Sequence, residues 1–314
     1  MNELGSKGEA FLFVIDFNLE TPLVLSPGEA ENRNIYFQVH HQKNFRNKHT
    51  PREPFDFTRH PVTVDYYNSA FEHVMKHIRA GNSYLVNLTF PTLIETTLSL
   101  EEIFYRSQAR YKLLIEDRLV VFSPEKFIQI TNDRISSYPM KGTIDASLPD
   151  AADRLLNDPK ELAEHHTIVD LIRNDLSMVA KQVKVERFRY VEEIETNMKP
   201  LLQTSSEITG VLHADYESRI GEILFRLLPA GSVTGAPKQK TVEIIHESEL
   251  YERNFYTGVM GYFDGTDLDS GVMIRYIEQT PDGMIFKSGG GITSFSCAES
   301  EYREMTDKVY VPFT

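Results

Sequence analysis

The chain has 314 residues, of which 41% are hydrophobic and 25% charged, and its formal net charge is −13. These proportions are typical of a soluble globular protein, and the length allows one large domain or two. The negative charge disfavours nucleic acid or anionic lipid as a partner, and the sequence contains neither a run of about 18 apolar residues nor a signal peptide.

Predicted elements follow one another in a mixed order. A polar segment with three prolines at 47–61 predicts an exposed connection, and 65–80 predicts a helix that ends at Gly81. Aromatic and β-branched residues predict strands at 11–17, 34–39, 83–90, 112–122 and 127–131. This order favours an α+β fold over a doubly wound parallel sheet. We interpret 1–60 as a reduced N-terminal region packed on a catalytic domain at 61–314.

A lysine between a proline and a glycine is the first candidate for chemistry. In YPMKGT (138–143), Pro139 fixes φ and Gly142 permits a sharp turn, so Lys141 is predicted to sit on a rigid segment. In SPE (123–125), Glu125 follows another proline. An amine and a carboxylate held in this way suit nucleophilic attack with general acid assistance. The alternative is that Lys141 is a solvated turn residue.

Two predicted helices repeat a Glu-x-x-Glu spacing. Asp158 and Pro159 predict a helix start that places Glu161 and Glu164 on one face. Near the C-terminus, Glu301 and Glu304 have the same spacing. Carboxylates from two helices could converge into a Mg²⁺ site, because Mg²⁺ prefers oxygen ligands. Alternatively, each pair lies on a solvated helix surface.

Other segments offer binding groups or exclude them. PAGSVTGAPK (229–238) lacks the Gly-Lys-Ser/Thr of a phosphate loop. SGGGIT (288–293) predicts an anion-binding nest or a tight turn. Arg275, which ends an apolar run, is either a carboxylate clamp or an ordinary edge-strand residue. We identify no Ser-His-Asp set, metal-binding histidine pair or dinucleotide fingerprint.

Cysteine and histidine residues further limit the possible compartment of the protein and the possible kinds of ligand site. The single cysteine, Cys297, excludes an intrachain disulfide and favours a reducing cytoplasm. We expect it to be a buried packing residue. The adjacent His165 and His166 would point about 100° apart on a helix, so they cannot share a ligand. We expect one to be structural and the other exposed.

Eight ordered motifs resemble the chorismate-utilising enzymes: SPE, PMKGT, DPKELAEHHTIVDLIRNDL, PAGSVTGAPK, YTGVMGYF, IRY, GGGIT and ESEYREMTDK. The resemblance extends from about Gly81 to Val309. It implies one large α+β domain with two facing antiparallel sheets flanked by helices. Within the family, anthranilate synthases have alanine before Gly-Thr, whereas the components that aminate C4 of chorismate have lysine. PMKGT therefore resembles the second group.

The resemblance also implies a role for each site residue. Lys141 would be the nucleophile that adds at C2 of chorismate, and Glu125 the acid that protonates the departing C4 hydroxyl. Mg²⁺ would be bound by Glu164 and Glu304, with Glu161 and Glu301 holding its waters. Substrate contacts would come from Gly142, Thr143, Gln203, Tyr256, Arg275, Gly289, Gly291 and Lys308. Ammonia would come from a glutamine amidotransferase subunit.

Two departures bear on the choice of reaction. Gln203 stands where many relatives have a histidine that, in anthranilate synthases, is linked to pyruvate elimination. Leu85 stands where isochorismate-forming relatives have a lysine that activates water, so that reaction is disfavoured. The alternatives that stay open are an anthranilate synthase component I and a non-catalytic chorismate-binding regulatory subunit.

Overall fold

The structure is a computed structural model that describes residues 1–48, 54–194 and 200–313. Part of the predicted connection at 47–61 therefore lies outside the described residues. No helix in the described part of the chain is long and apolar enough to cross a membrane.

Helices and strands alternate irregularly along the described chain. The α-helices are α1 Asn2–Ser6, α2 Pro27–Asn32, α3 Val64–Arg79, α4 Leu100–Arg106, α5 Ala151–Asn157, α6 Pro159–Ser177, α7 Ile220–Leu227, α8 Lys238–Ser248 and α9 Ala298–Asp307. The strands are β1 Phe11–Ile15, β2 Leu23–Leu25, β3 Ile35–Val39, β4 Gln42–Lys43, β5 Phe57–His60, β6 Leu85–Thr96, β7 Tyr111–Ile115, β8 Leu119–Ser123, β9 Lys126–Thr131, β10 Arg134–Ser137, β11 Met140–Asp145, β12 Lys181–Ile194, β13 Leu201–Val211, β14 Gly235–Ala236, β15 Val259–Phe263, β16 Leu268–Val272, β17 Tyr276–Thr280 and β18 Gly283–Ile292. Short 3-10 helices lie at Tyr216–Arg219 and Gly231–Val233.

The strands form two antiparallel sheets. The first has the order β11-β13-β10-β9-β16-β15-β1-β2, with β12 also paired to β13. The second has the order β14-β6-β18-β17-β8-β7-β3-β4, with β5 also paired to β6. Consecutive strands such as β7 and β8 form hairpins, whereas other neighbours, such as β1 with β15 and β6 with β18, come from distant parts of the sequence.

Strand β1 shows how the two sheets pack. Leu12 and Val14 belong to a buried cluster that includes Phe37 of the second sheet. Phe11 and Phe13 point the other way, into a cluster with residues of α6 and α7. Helices α3 and α8 cover β6 of the second sheet in the same manner. The predicted α+β fold of two facing antiparallel sheets flanked by helices is therefore confirmed.

The N-terminal region takes part in both sheets. Strand β1 pairs with β15 and β2 in the first sheet, and β3 pairs with β7 and β4 in the second. The strands predicted at 11–17 and 34–39 are thus present, and they lie within the fold rather than on its surface. The division at residue 60 stays a prediction.

Several local predictions are confirmed. Helix α3 ends at Arg79, and Gly81 follows with φ +76°. Asp158 caps α6 by accepting a hydrogen bond from the Glu161 amide at 3.0 Å. His165 is fully buried and its Nε2 lies 2.7 Å from Ser206 Oγ, whereas His166 is exposed. Burial lowers the pKa of His165 to about 4, so this histidine is neutral and structural.

Other predictions are wrong. The strand predicted at 112–122 is a hairpin, because Asp117 adopts φ +56° and turns β7 back into β8. Residues 57–60 form the edge strand β5 against β6, and their mostly exposed polar side chains hide this pairing in the sequence. Cys297 is exposed, since it precedes α9 on the surface instead of packing beneath it.

A buried ion pair connects the end of α8 to strand β6. Arg253 and Glu249 are both almost inaccessible to solvent, and their side chains meet at 2.6 Å. The guanidinium also donates to the carbonyls of Val233 and Asn87, while Glu249 accepts from the backbone and side chain of Thr89. These hydrogen bonds compensate the cost of burying both charges.

Removing the cation of this pair should be costly. We expect Arg253→Met to lower the free energy of unfolding by about 3–5 kcal/mol, because Glu249 would stay buried without its partner. Urea denaturation provides the measurement. Arg303→Met is the matched control, since Arg303 and Glu299 form another i, i+4 pair that is more than two thirds exposed and should contribute little. Equal shifts in the two variants would contradict the prediction.

Candidate functional site

A cavity of about 890 Å³ opens between α6, α9, β11 and the glycine-rich part of β18. Its volume is in the range of small-molecule sites. Every site residue predicted from the sequence lines it: Glu125, Lys141, Gly142, Thr143, Glu161, Glu164, Gln203, Tyr256, Arg275, Gly289, Gly291, Glu301, Glu304 and Lys308. The residues therefore share one site, while their individual roles stay predictions.

Lys141 enters this cavity from β11 at a β-bulge. The pairing of β11 with β13 shifts between Lys141 and Thr143, and Gly142 adopts φ +73°. A Cβ on Gly142 would lie 2.8 Å from Glu161 Oε2, so a side chain there would be both strained and crowded. The bulge directs Lys141 across the cavity, where its Nζ lies 3.5 Å from the position that a Cβ on Gly291 would occupy.

Glu125 lies in the loop between β8 and β9, which belong to different sheets. Ser232 donates a hydrogen bond to Glu125 Oε1 at 2.5 Å. Desolvation raises the pKa of the Glu125 carboxyl, against the opposing effects of Ser232, Lys141 and Lys308. A raised pKa increases the protonated fraction near neutral pH, which is what a general acid requires.

The four glutamates of α6 and α9 line the cavity from two sides. A Cβ on Gly290 would lie 3.6 Å from Glu301 Oε2 and 3.6 Å from Glu304 Oε1, so these carboxylates border the same space. Glu301 is buried, and Glu304 also pairs with Lys308 at 2.7 Å. Carboxylate oxygens converging from two helices fit the ligand preference of Mg²⁺.

Four cationic residues line the cavity of a protein with excess negative charge: Lys141, Arg275, Arg303 and Lys308. Arg275 adopts φ +53°, a backbone conformation that is uncommon for a non-glycine residue and is often retained at functional sites. Lys308 donates to the Gly289 carbonyl at 2.9 Å, and burial lowers the pKa of its amine against the effect of Glu304. The cavity thus offers local positive charge to an anion.

The glycine-rich segment is a strand rather than the predicted nest or tight turn. Residues 289–291 pair with β6, with Gly289 opposite Thr89 and Gly291 opposite Asn87. A Cβ on Gly289 would approach Leu88 O to 2.3 Å, so glycine permits the close packing of β18 on β6. Sequence alone does not reveal this, because consecutive glycines are typical of turns.

Other residues around the cavity have defined surroundings. Tyr256 is buried, and desolvation raises the pKa of its hydroxyl. Gln203 on β13 lies opposite Thr143 on β11, and Thr143 is exposed to solvent. Both side chains therefore border the cavity next to the bulge that presents Lys141.

Several further residues line the cavity but escaped prediction, among them Asn87 and Ser232. Asn87 lines the cavity, and its buried Oδ1 accepts no hydrogen bond from the described residues. Ser232 belongs to the segment 229–238, which we excluded as a phosphate loop, and it contacts Glu125. The ordered motif that contains Ser232 could have identified this residue from the sequence. Asn87 had no comparable sequence signal, and only the nearby Leu85 drew attention to its segment.

The profile of the chorismate binding enzymes matches residues 21–313 of this sequence. The chain belongs to the chorismate binding enzyme family. Aminodeoxychorismate synthase component 1 of Escherichia coli is 30% identical over 94% of this chain and 66% of that protein. An uncharacterised PabA-like protein of Pasteurella multocida is 49% identical over 99% of this chain and 96% of that protein. The predicted relationship to the family is therefore confirmed.

Solved structures agree with this assignment. The menaquinone-specific isochorismate synthase of E. coli superimposes with a TM-score of 0.75 at 16% identity, covering 98% of this chain and 78% of that one. Component I of anthranilate synthase from Streptococcus pneumoniae superimposes with a TM-score of 0.68 at 28% identity, covering 82% of this chain and 59% of that one. The first of these likenesses concerns the fold alone.

Proposed function

We propose that this chain is component I of an aminodeoxychorismate synthase, which converts chorismate and ammonia to 4-amino-4-deoxychorismate for para-aminobenzoate and folate biosynthesis. The observation that carries the proposal is the placement of Lys141. Lys141 lies on a bulged strand and lines the same cavity as Glu125. The PMKGT motif that contains it is the pattern of the C4-aminating relatives.

The proposed chemistry uses Lys141 as a nucleophile in two displacements. In the first, Lys141 Nζ bonds to C2 of chorismate, both conjugated ring double bonds shift, and the C4 hydroxyl leaves as water with a proton from Glu125. The proton lost by the attacking amine returns to Glu125. In the second, ammonia bonds to C4, both double bonds shift back, and Lys141 leaves C2 as a reprotonated amine. The balance is chorismate plus ammonia to 4-amino-4-deoxychorismate plus water.

Two displacements explain why a lysine is needed. Ammonia that attacks C2 directly gives a 2-amino product, as in the anthranilate synthase reaction. Amination of C4 with retained stereochemistry needs one displacement at each end of the conjugated system that links C2 to C4. Gln203, in place of the family histidine linked to pyruvate elimination, fits a product that keeps its enolpyruvyl group.

Charged groups around the cavity would bind the substrate's two carboxylates. Glu164 and Glu304 would hold Mg²⁺ directly, and Glu161 and Glu301 would hold its waters. When bound, Mg²⁺ would supply positive charge to one carboxylate of chorismate. Arg275 would form a bidentate contact with a carboxylate. Lys308, Tyr256, Thr143 and the backbone amides of Gly142, Gly289 and Gly291 would complete the binding groups.

The glutamate assignment predicts a change in metal dependence. Glu164→Gln and Glu304→Gln should each raise the Mg²⁺ concentration needed for half-maximal activity or abolish turnover, because each removes a charged ligand. Activity titrations with Mg²⁺, accompanied by circular dichroism to check folding, provide the measurement. Glu299→Gln is the matched control, since Glu299 lies on α9 but is 73% exposed and pairs with Arg303. An unchanged Mg²⁺ dependence in both site variants would contradict the assignment.

Ammonia supply implies a partner. Ammonium predominates over ammonia at neutral pH, so free ammonia is scarce. The single cysteine of the chain, Cys297, lies in no amidotransferase motif that we identify. We therefore propose that a separate glutamine amidotransferase subunit delivers ammonia to this chain.

Product identification tests the proposed function. The purified chain, chorismate, Mg²⁺ and ammonium at alkaline pH should yield 4-amino-4-deoxychorismate, identified by chromatography and mass. Anthranilate with pyruvate as the products would instead make the chain an anthranilate synthase component I. Binding of chorismate without any turnover would favour a non-catalytic regulatory subunit.

A further inference from the structure

Two histidines and a glutamate gather where α3 packs against α8. His73 and His77 are four residues apart on α3, so their side chains lie on one face of the helix. Glu247 comes from the last turn of α8. One ligand atom from each of the three side chains lies within 4.8 Å of the others. None of the three lines the chorismate cavity.

Local contacts orient His73 for ligation. Its Nδ1 lies 2.9 Å from Ser248 Oγ, and Ser248 Oγ donates its hydrogen to the Ile244 carbonyl at 2.7 Å. Because that hydroxyl has one hydrogen, it accepts from His73, whose proton is therefore on Nδ1. The lone pair of His73 Nε2 is left available. Metal-binding histidines are commonly fixed through their other ring nitrogen in this way.

The second histidine already faces an anion. His77 Nε2 lies 3.5 Å from Glu247 Oε2, and His77 Nδ1 lies 3.1 Å from the side-chain amide of Asn82. A 180° rotation of the Asn82 side-chain amide lets its oxygen accept a proton from His77 Nδ1. The lone pair of His77 Nε2 is then available as a ligand. His77 and Glu247 are partly exposed, so small side-chain rotations can bring the ligand atoms to metal-binding distances.

We propose that His73, His77 and Glu247 form a binding site for a divalent transition-metal ion, with Zn²⁺ as its representative. Two imidazoles and one carboxylate suit Zn²⁺, Cu²⁺ or Ni²⁺, whereas Mg²⁺ prefers oxygen ligands alone. The ion would link α3 to α8, the helices that cover β6 and thus the strand of Asn87.

Equilibrium dialysis of the full chain against Zn²⁺, with excess Mg²⁺ present, tests the site. The wild type should bind one more Zn²⁺ per chain than His73→Gln or His77→Gln. Zn²⁺ should also raise the melting temperature of the wild type more than that of either variant, because the ion binds the folded chain. His60→Gln is the matched control, since exposed His60 also pairs with a glutamate, Glu95.

Two further variants separate ligation from unspecific effects. Ser248→Ala should weaken Zn²⁺ binding about 10–100-fold, as expected when the partner of a ligating histidine is lost. Asn82→Asp should tighten binding, because a carboxylate accepts the His77 Nδ1 proton more strongly than an amide. Equal Zn²⁺ stoichiometry and affinity in the wild type, His73→Gln and His77→Gln would overturn the proposal. That result would leave the proposed reaction unaffected, since the cluster lies outside the chorismate cavity.

Discussion

Lys141→Ala should lower amination of C4 by about 100-fold or more, because it removes the amine that we propose forms the covalent intermediate. The variant recreates the Ala-Gly-Thr of the C2-aminating relatives, so ammonia gains access to C2 through the vacated space. We therefore expect the variant to form a 2-amino product in place of part of the lost 4-amino product. Gln203 should disfavour its breakdown, and the product should keep its enolpyruvyl group. Chromatography with mass detection measures both products.

A control for Lys141→Ala comes from a neighbouring lysine in the same sheet. Lys126 on β9 stacks over the Tyr138 ring at 4.2 Å and does not line the cavity. Lys126→Ala should keep the wild-type product and most of the rate. Full C4 amination by Lys141→Ala would contradict the proposed role of Lys141 as nucleophile and would favour direct or general-base amination.

Glu125→Gln should lower the rate of C4 amination about 10²–10⁴-fold, the range typical for loss of a general acid or base. Glutamine occupies nearly the same space and can still accept a hydrogen bond from Ser232. The loss would therefore report the missing proton rather than a collapsed site. Ser232→Ala should have a smaller effect, since it removes a contact to the acid but leaves the acid in place.

Glu125→Gln should also be more stable than the wild type near neutral pH. Burial raises the pKa of Glu125, so the folded chain binds this proton more tightly than the unfolded chain does. Such a group loses stability as pH rises from the unfolded pKa to the folded one. Glutamine has no charge to desolvate. The gain in unfolding free energy should thus be present at pH 8 and shrink as pH falls toward the usual glutamate pKa of about 4.3.

Urea denaturation at several pH values measures this gain, and Glu102→Gln is a suitable control. Glu102 caps α4 through Ser99, and these hydrogen bonds lower the pKa of its carboxyl. Its replacement should therefore destabilise the chain at pH 8. A Glu125→Gln variant that loses stability at pH 8 would contradict the assignment of Glu125 as a desolvated acid.

Local chemistry explains what the sequence predicted correctly. Gly142 predicted a sharp change of backbone direction next to Lys141, and the bulge with positive φ at Gly142 confirms it. Asp158 predicted the start of α6 and thereby the shared face of Glu161 and Glu164. These signals depend on a few consecutive residues, so a single sequence contains them.

Long-range packing explains what escaped prediction. Asn87 reaches the cavity because β6 pairs with β18 from the other end of the chain. The cluster of His73 and Glu247 depends on how α3 meets α8, and no local pattern encodes that contact. Residues 289–291 look like a turn, but their strand conformation follows from close packing against β6. Pairing between distant segments therefore decided each of these features.

The most direct test of covalent catalysis is a search for the intermediate on Lys141. The wild type should be incubated with chorismate and Mg²⁺ but no ammonia, quenched with acid, digested and analysed by mass spectrometry. The account predicts that the peptide containing Lys141 gains the mass of chorismate less one water, and that Lys141→Ala shows no such gain at this position. An unmodified Lys141 peptide, from a preparation that aminates C4 rapidly once ammonia is added, would contradict it.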